Sequence, residues 1–127
     1  MLLLICTACE DAGRDSQASK QLEKYLPLQR LSSISVKQYQ SQTTAKYPQY
    51  YWHLITSASN LLVLERSGFQ RQDRAELEFV QKVLAEDPAR AFTPSSGDRL
   101  FAKETERADV KMIVQGENDW FIWVLRH

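Results

Sequence analysis

The sequence predicts an α+β domain, a mostly antiparallel sheet of about five strands with two to three helices packed on one face, ending in a β-hairpin. Three observations predict it. Apolar residues change period along the chain, from helical spacing in residues 18–25 to alternation in 31–42 and back to helical spacing in 72–85. Two apolar runs near the end, 110–115 and 120–125, are separated only by Gly116, Glu117, Asn118 and Asp119, a connection that suits a hairpin. At 127 residues, 43% hydrophobic and 25% charged, the chain has the composition of one globular domain.

Residues 16–127 make up this domain. Ser16 can cap a helix running to Tyr25, with Ala18, Leu22 and Tyr25 on one face and Pro27 stopping it. Residues 31–42 alternate around Ile34 and Val36 and form a first strand; residues 50–56, rich in aromatics, form a second, and the two pair as an antiparallel hairpin. The apolar run Leu61, Leu62, Val63, Leu64 suits a strand or a helix. The helix is preferred because Ser57 or Ser59 can receive the first-turn N–H groups and Gly68 followed by Phe69 is the pattern of a Schellman C-cap. A further helix over 72–85 presents Ala75, Phe79, Val80, Val83 and Leu84 as its apolar face and ends at Asp87 and Pro88. After a turn-rich loop over 92–97, residues 99–105 form a strand, and the closing hairpin follows. Residues 120–125 are apolar throughout, so both faces of that strand are covered and it sits inside the sheet.

The first nine residues determine where the domain works. Residues 2–5 are purely apolar, Thr7 and Ala8 are small, and Glu10 and Asp11 follow Cys9 directly, so hydrophobicity stops at the second cysteine. This stretch resembles a bacterial lipoprotein signal peptide. The resemblance implies that residues 1–8 are the remnant of a signal, that Cys9 carries the lipid, and that 9–15 tether the domain. The order of elements, carried by Leu26 and Pro27, Tyr51 and Trp52, 61–69 and 110–125, is likewise similar to small uncharacterised bacterial lipoproteins. It implies an α+β fold in the cell envelope, lipid-anchored and facing the periplasm. Two other readings stay open. Residues 1–7 can be a buried strand of an intracellular, cytoplasmic α/β domain, or Cys6 and Cys9 can be a CxxC thiol-redox pair, which Glu10 and Asp11 would oppose by raising the thiol pKa.

Charge and motif content narrow the function. Lys plus Arg and Asp plus Glu number 16 each, so the basic excess expected of a nucleic-acid binder is absent and no nucleic-acid partner is expected. No apolar run reaches the roughly 18 residues of a membrane span. Catalytic and metal-binding residues are not expected: His53 and His127 are the only histidines, and neither belongs to a metal-ligand or nucleophile motif. His53 is expected to be a satisfied structural imidazole and His127 to be exposed. Glu104 and Glu106, two apart on an expected strand, would share a face as part of a solvated charged edge. No cofactor is expected. The candidate binding residues are the aromatics Tyr50, Tyr51, Trp52, Trp120 and Trp123, with Tyr47 beside them, because exposed Tyr and Trp concentrate binding energy; the alternative is that they are core. The function expected is a non-enzymatic, lipid-anchored binding or interaction module, with the membrane contacted through Cys9 and a protein as a further partner. An immunity-type protein is one form this could take.

Overall fold

The computed structural model describes residues 17–42 and 46–127. The leader, Cys6, Cys9, the tether and the Ser16 cap lie outside the described residues. The chain order is α1 (17–22), β1 (Ser35–Gln42), β2 (Gln49–Ile55), α2 (Asn60–Arg66), β3 (Gln70–Arg71), α3 (Arg74–Glu86), β4 (Arg99–Glu104), β5 (Ala108–Gln115) and β6 (Asp119–Arg126), with 3-10 turns at Leu28–Arg30 and Pro88–Arg90. All six strands join one antiparallel sheet in the order β1-β2-β6-β5-β4-β3, one strand more than expected. The sixth is the two-residue β3, too short to show any alternation in the sequence. Both expected hairpins form, and β6 lies inside the sheet between β2 and β5, as its unbroken apolar run requires.

The helices do not share one face. Alternate β6 residues enter different clusters: Trp120, Ile122 and Val124 are buried with Ala18 and Leu22 of α1 and Leu64 of α2, whereas Phe121 and Trp123 are buried with Val80 and Leu84 of α3. Successive strand residues point to opposite sides of a sheet, so α1 and α2 cover one face and α3 the other. The one-face expectation is corrected for the reason that made β6 internal: a strand apolar on both sides needs cover on both.

Local chemistry explains most boundaries. Beyond α1 the amide of Leu26 still bonds Leu22 O, after which Pro27 opens the first 3-10 turn. The indole of Trp52 donates to Ala18 O at 3.1 Å and fixes this segment to the sheet. Helix α2 forms where the ambiguous run was read as helical, and ends in a Schellman motif: Phe69 N–H donates to Leu64 O, Gly68 N–H to Glu65 O, and Gly68 adopts φ +105°. Ser59 makes no side-chain cap; the Ser57 hydroxyl instead accepts from Ser59 N–H. Asp73 caps α3 by accepting from Glu76 N–H at 2.9 Å.

The buried stripe of α3 differs from the expected one. Val80 and Leu84 are buried and Leu77 and Val83 partly so, while Ala75 is exposed and Phe79 is 56% exposed. At about 100° per residue, Leu77, Val80 and Leu84 fall within one narrow sector and Phe79 lies about 130° from its centre. In β1 the register shifts between Val36 and Gln38, so Val36 opposes Leu54 and Tyr39 opposes Trp52. This bulge sends both Val36 and Tyr39 to the α1 side, which uninterrupted alternation would forbid.

Candidate functional site

The five aromatics proposed as a binding set are all buried: Trp52 and Trp120 completely, Tyr51 almost so, and Tyr50 and Trp123 below one tenth exposure. They pack in the core, divided between the two faces, and leave a partner little accessible area. Tyr25, Tyr39 and Tyr50 each lie within 6.1 Å of the Trp52 ring, which explains the density of aromatics in this part of the chain. Tyr51 sits on the α3 side, where its hydroxyl donates to Arg90 O at 3.2 Å and burial pushes its pKa far up. Among the described large hydrophobic residues the exposed ones are Tyr47, Leu62 and Phe79, borne on three different segments.

Both histidines are occupied. His53 Nε2 lies 2.8 Å from Asp119 Oδ1, and its ring stacks on Phe121 with centroids 4.2 Å apart. That is the structural imidazole expected from its place in an aromatic strand. His127 is about half exposed, pairs with Asp109 at 3.3 Å, and donates its backbone N–H to Arg107 O. Glu104 ends β4 and Glu106 lies in the following turn, so the two do not share a strand face. That turn is fastened by Thr105, whose hydroxyl accepts from the amides of Arg107 and Ala108. Among the described residues no group of His, Cys, Asp and Glu is placed to hold a metal ion.

Two polar centres have no counterpart among the sequence expectations. Asp98, only 5% exposed, accepts from Gln81 Nε2, Gln115 Nε2 and the amide of Ser95, and so ties the 92–97 loop to α3 and β5. Asn60 accepts from Ser32 N–H and donates to Ser32 O and Thr56 Oγ1, holding the approach to β1 against the start of α2. Its partner Ser32 lies 28 positions away, so the sequence around Asn60 gives little local signal of its burial.

The concavity best suited to a ligand lies on the α1 and α2 face, a cleft of ≈ 650 Å³. Its lining includes Lys24, Tyr25, Lys103, Arg107, Val110 and Arg126, together with Thr105 and Glu106. The register explains how residues so far apart converge: Lys103 opposes Val110 and Arg126 opposes Ala108, so these strand positions face the same side. Pro27 diverts the chain after Tyr25 and α2 ends at Arg66, so neither helical segment continues over this corner.

Four cations and one carboxylate line the cleft, in a chain with no net charge. The ion pairs between described Lys or Arg and acidic side chains join Arg74 to Glu78, Arg90 to Asp87 and Lys111 to Glu76, and involve none of the four. Lys103 also serves the fold, because its ammonium donates to Ser67 O at 2.7 Å at the C-terminal end of α2, where the helix dipole favours a cation. Burial pushes the Tyr25 hydroxyl above its ordinary pKa while the Arg126 charge acts in the opposite direction, which places phenol and guanidinium within electrostatic reach of each other. The arrangement has no paired acid and base and no activated nucleophile. It has the donors and positive charge to hold an anion.

No family model, curated protein or solved structure matches the chain. Its class is therefore defined by its own architecture: an α+β domain with a six-stranded antiparallel sheet covered on both faces and a basic cleft at one corner.

Proposed function

We propose that the protein is a non-enzymatic, lipid-anchored module of the bacterial cell envelope, held to the membrane through Cys9 and engaging its partner through the basic cleft. The single observation that carries the binding half is the convergence of Lys24, Lys103, Arg107 and Arg126 on one open cleft without an ion-pair partner among the described residues. A charged concave surface raises the local concentration of oppositely charged ligands and speeds their association. The anchoring half is supported by the apolar run over 2–5 and the small residues before Cys9, ahead of the polar stretch that leads to α1. No helix among the described residues is long and apolar enough to cross a membrane.

Intact-mass spectrometry of the membrane fraction of the native host tests this reading. The expected product begins at Cys9 and carries two or three acyl chains. A cytosolic product still beginning at Met1 would overturn the anchor.

A further inference from the structure

We infer that the cleft is a phosphate-ester site, in which Arg107 and Arg126 clasp the phosphate oxygens and Tyr25 and Val110 receive the organic part of the ester. This rests on the reading of the cleft as the binding surface; the lipid anchor bears only on which ester lies within reach. The lining carries Lys24, Lys103, Arg107 and Arg126 against Glu106, a surplus of three positive charges. A carboxylate brings one negative charge and two oxygens, and would leave most of that surplus uncompensated. A phosphomonoester brings about −1.5 to −2 charges and three acceptor oxygens, and planar guanidinium groups can bind such oxygens in pairs. The two arginines come from different segments, the turn before β5 and the end of β6, so they can approach one ligand from separate directions. The hydroxyl of Tyr25 adds a neutral donor, and its ring, 6.2 Å from that of Tyr50, continues the apolar surface of the core into the cleft. The volume, ≈ 650 Å³, lies within the range of about 300–1,000 Å³ typical of small-molecule sites.

The same monoester chemistry is offered by the headgroup of phosphatidic acid and by a soluble ester. For a domain joined to a membrane by the short segment 9–15, an anionic headgroup is within reach, since seven residues extend to about 25 Å at most. The full chain is titrated with vesicles of phosphatidic acid in phosphatidylcholine, with glycerol 3-phosphate, and with citrate as a carboxylate of at least equal charge. Binding is followed by vesicle sedimentation and calorimetry. A double variant, Arg107→Gln with Arg126→Gln, is compared with Arg71→Gln with Lys82→Gln, which removes the same charge from exposed positions in β3 and α3. The expected result is binding of at least one phosphate ester that weakens on the order of tenfold or more in the cleft variant and hardly changes in the control. Vesicle binding alone identifies the headgroup as the source; binding of glycerol 3-phosphate identifies a soluble ester. No binding of either ester, or equal losses in the two double variants, would overturn the inference. Citrate binding as strongly as the esters, with the same dependence on the arginines, would overturn the phosphate assignment while leaving the cleft as a binding surface.

Discussion

The two faces of the sheet are built differently. Under α1 and α2, residues 50, 52 and 54 of β2, 120, 122 and 124 of β6 and 108, 110, 112 and 114 of β5 are all apolar and buried. Under α3 the buried cluster is smaller, and the same strands place His53, Asp109, Lys111 and Gln115 around Ile113 and Phe121. Each of these polar side chains has a partner: Asp119, His127, Glu76 and Asp98 respectively. The difference shows what limits polarity on a strand. Where helical cover is continuous every position must be apolar; where one helix covers only the centre, polar residues survive at the margin if something bonds them. On the α1 and α2 face that margin is reached at the corner marked by Lys103 and Arg126, and the cleft forms there.

The sharpest way to break the comparison is to remove one large side chain from each face. Trp52→Ala should cost about 3–5 kcal/mol, since it empties the completely buried centre of the larger cluster and deletes the bond to Ala18 O. Leu84→Ala, beneath α3, should cost about 2–3 kcal/mol, toward the lower end for buried leucines because its cluster is smaller. Urea unfolding of both variants measures the difference. Equal losses would mean that the two faces contribute alike.

A smaller effect, about 1–3 kcal/mol, is expected of Asn60→Ala, which removes a bond to the buried Thr56 hydroxyl and the part-buried bonds to the backbone of Ser32. Hydrogen exchange should show the loss centred on 31–34 and the start of α2. Protection lost evenly over the sheet would argue against a local clasp.

The α3 face can also be probed by alkali. Burial raises the Tyr51 pKa above its ordinary value near 10, so the unfolded chain loses this proton first as pH rises. The associated stability is complete below about pH 10 and is lost as pH climbs from there toward the folded-state value. Tyr51→Phe should cost about 0.5–1.5 kcal/mol at pH 7, through the bond to Arg90 O, and should flatten the decline above pH 10. Thermal midpoints across pH 7–11 test both parts; an unaltered alkaline slope in the variant would remove Tyr51 from the account.

The smallest effect sharpens the boundary of the α3 cluster. Phe79→Ser should change stability by no more than about 0.5 kcal/mol, because the side chain is 56% exposed and outside the buried stripe. A loss above about 2 kcal/mol would restore Phe79 to the core.

By itself the sequence determined what depends on neighbouring residues. The two hairpins, the internal position of β6, the Schellman end of α2 at Gly68 and Phe69 and the stop of α3 at Asp87 all follow from local patterns, as does the satisfied His53. Tertiary structure alone decided what depends on distant ones. Which sector of α3 is buried was settled by the sheet beneath it, since Phe79 and Leu77 are equally apolar in isolation. The bulge in β1, the assignment of helices to opposite faces and the burial of Asp98 and Asn60 arise from partners far along the chain. The cleft belongs with these. Lys24, Lys103, Arg107 and Arg126 are ordinary solvated charges along the sequence; antiparallel pairing sets Lys103 and Arg126 on one side of the sheet, and the packing of the α1 segment brings Lys24, more than 100 positions from Arg126, to the same corner, where their like charges add.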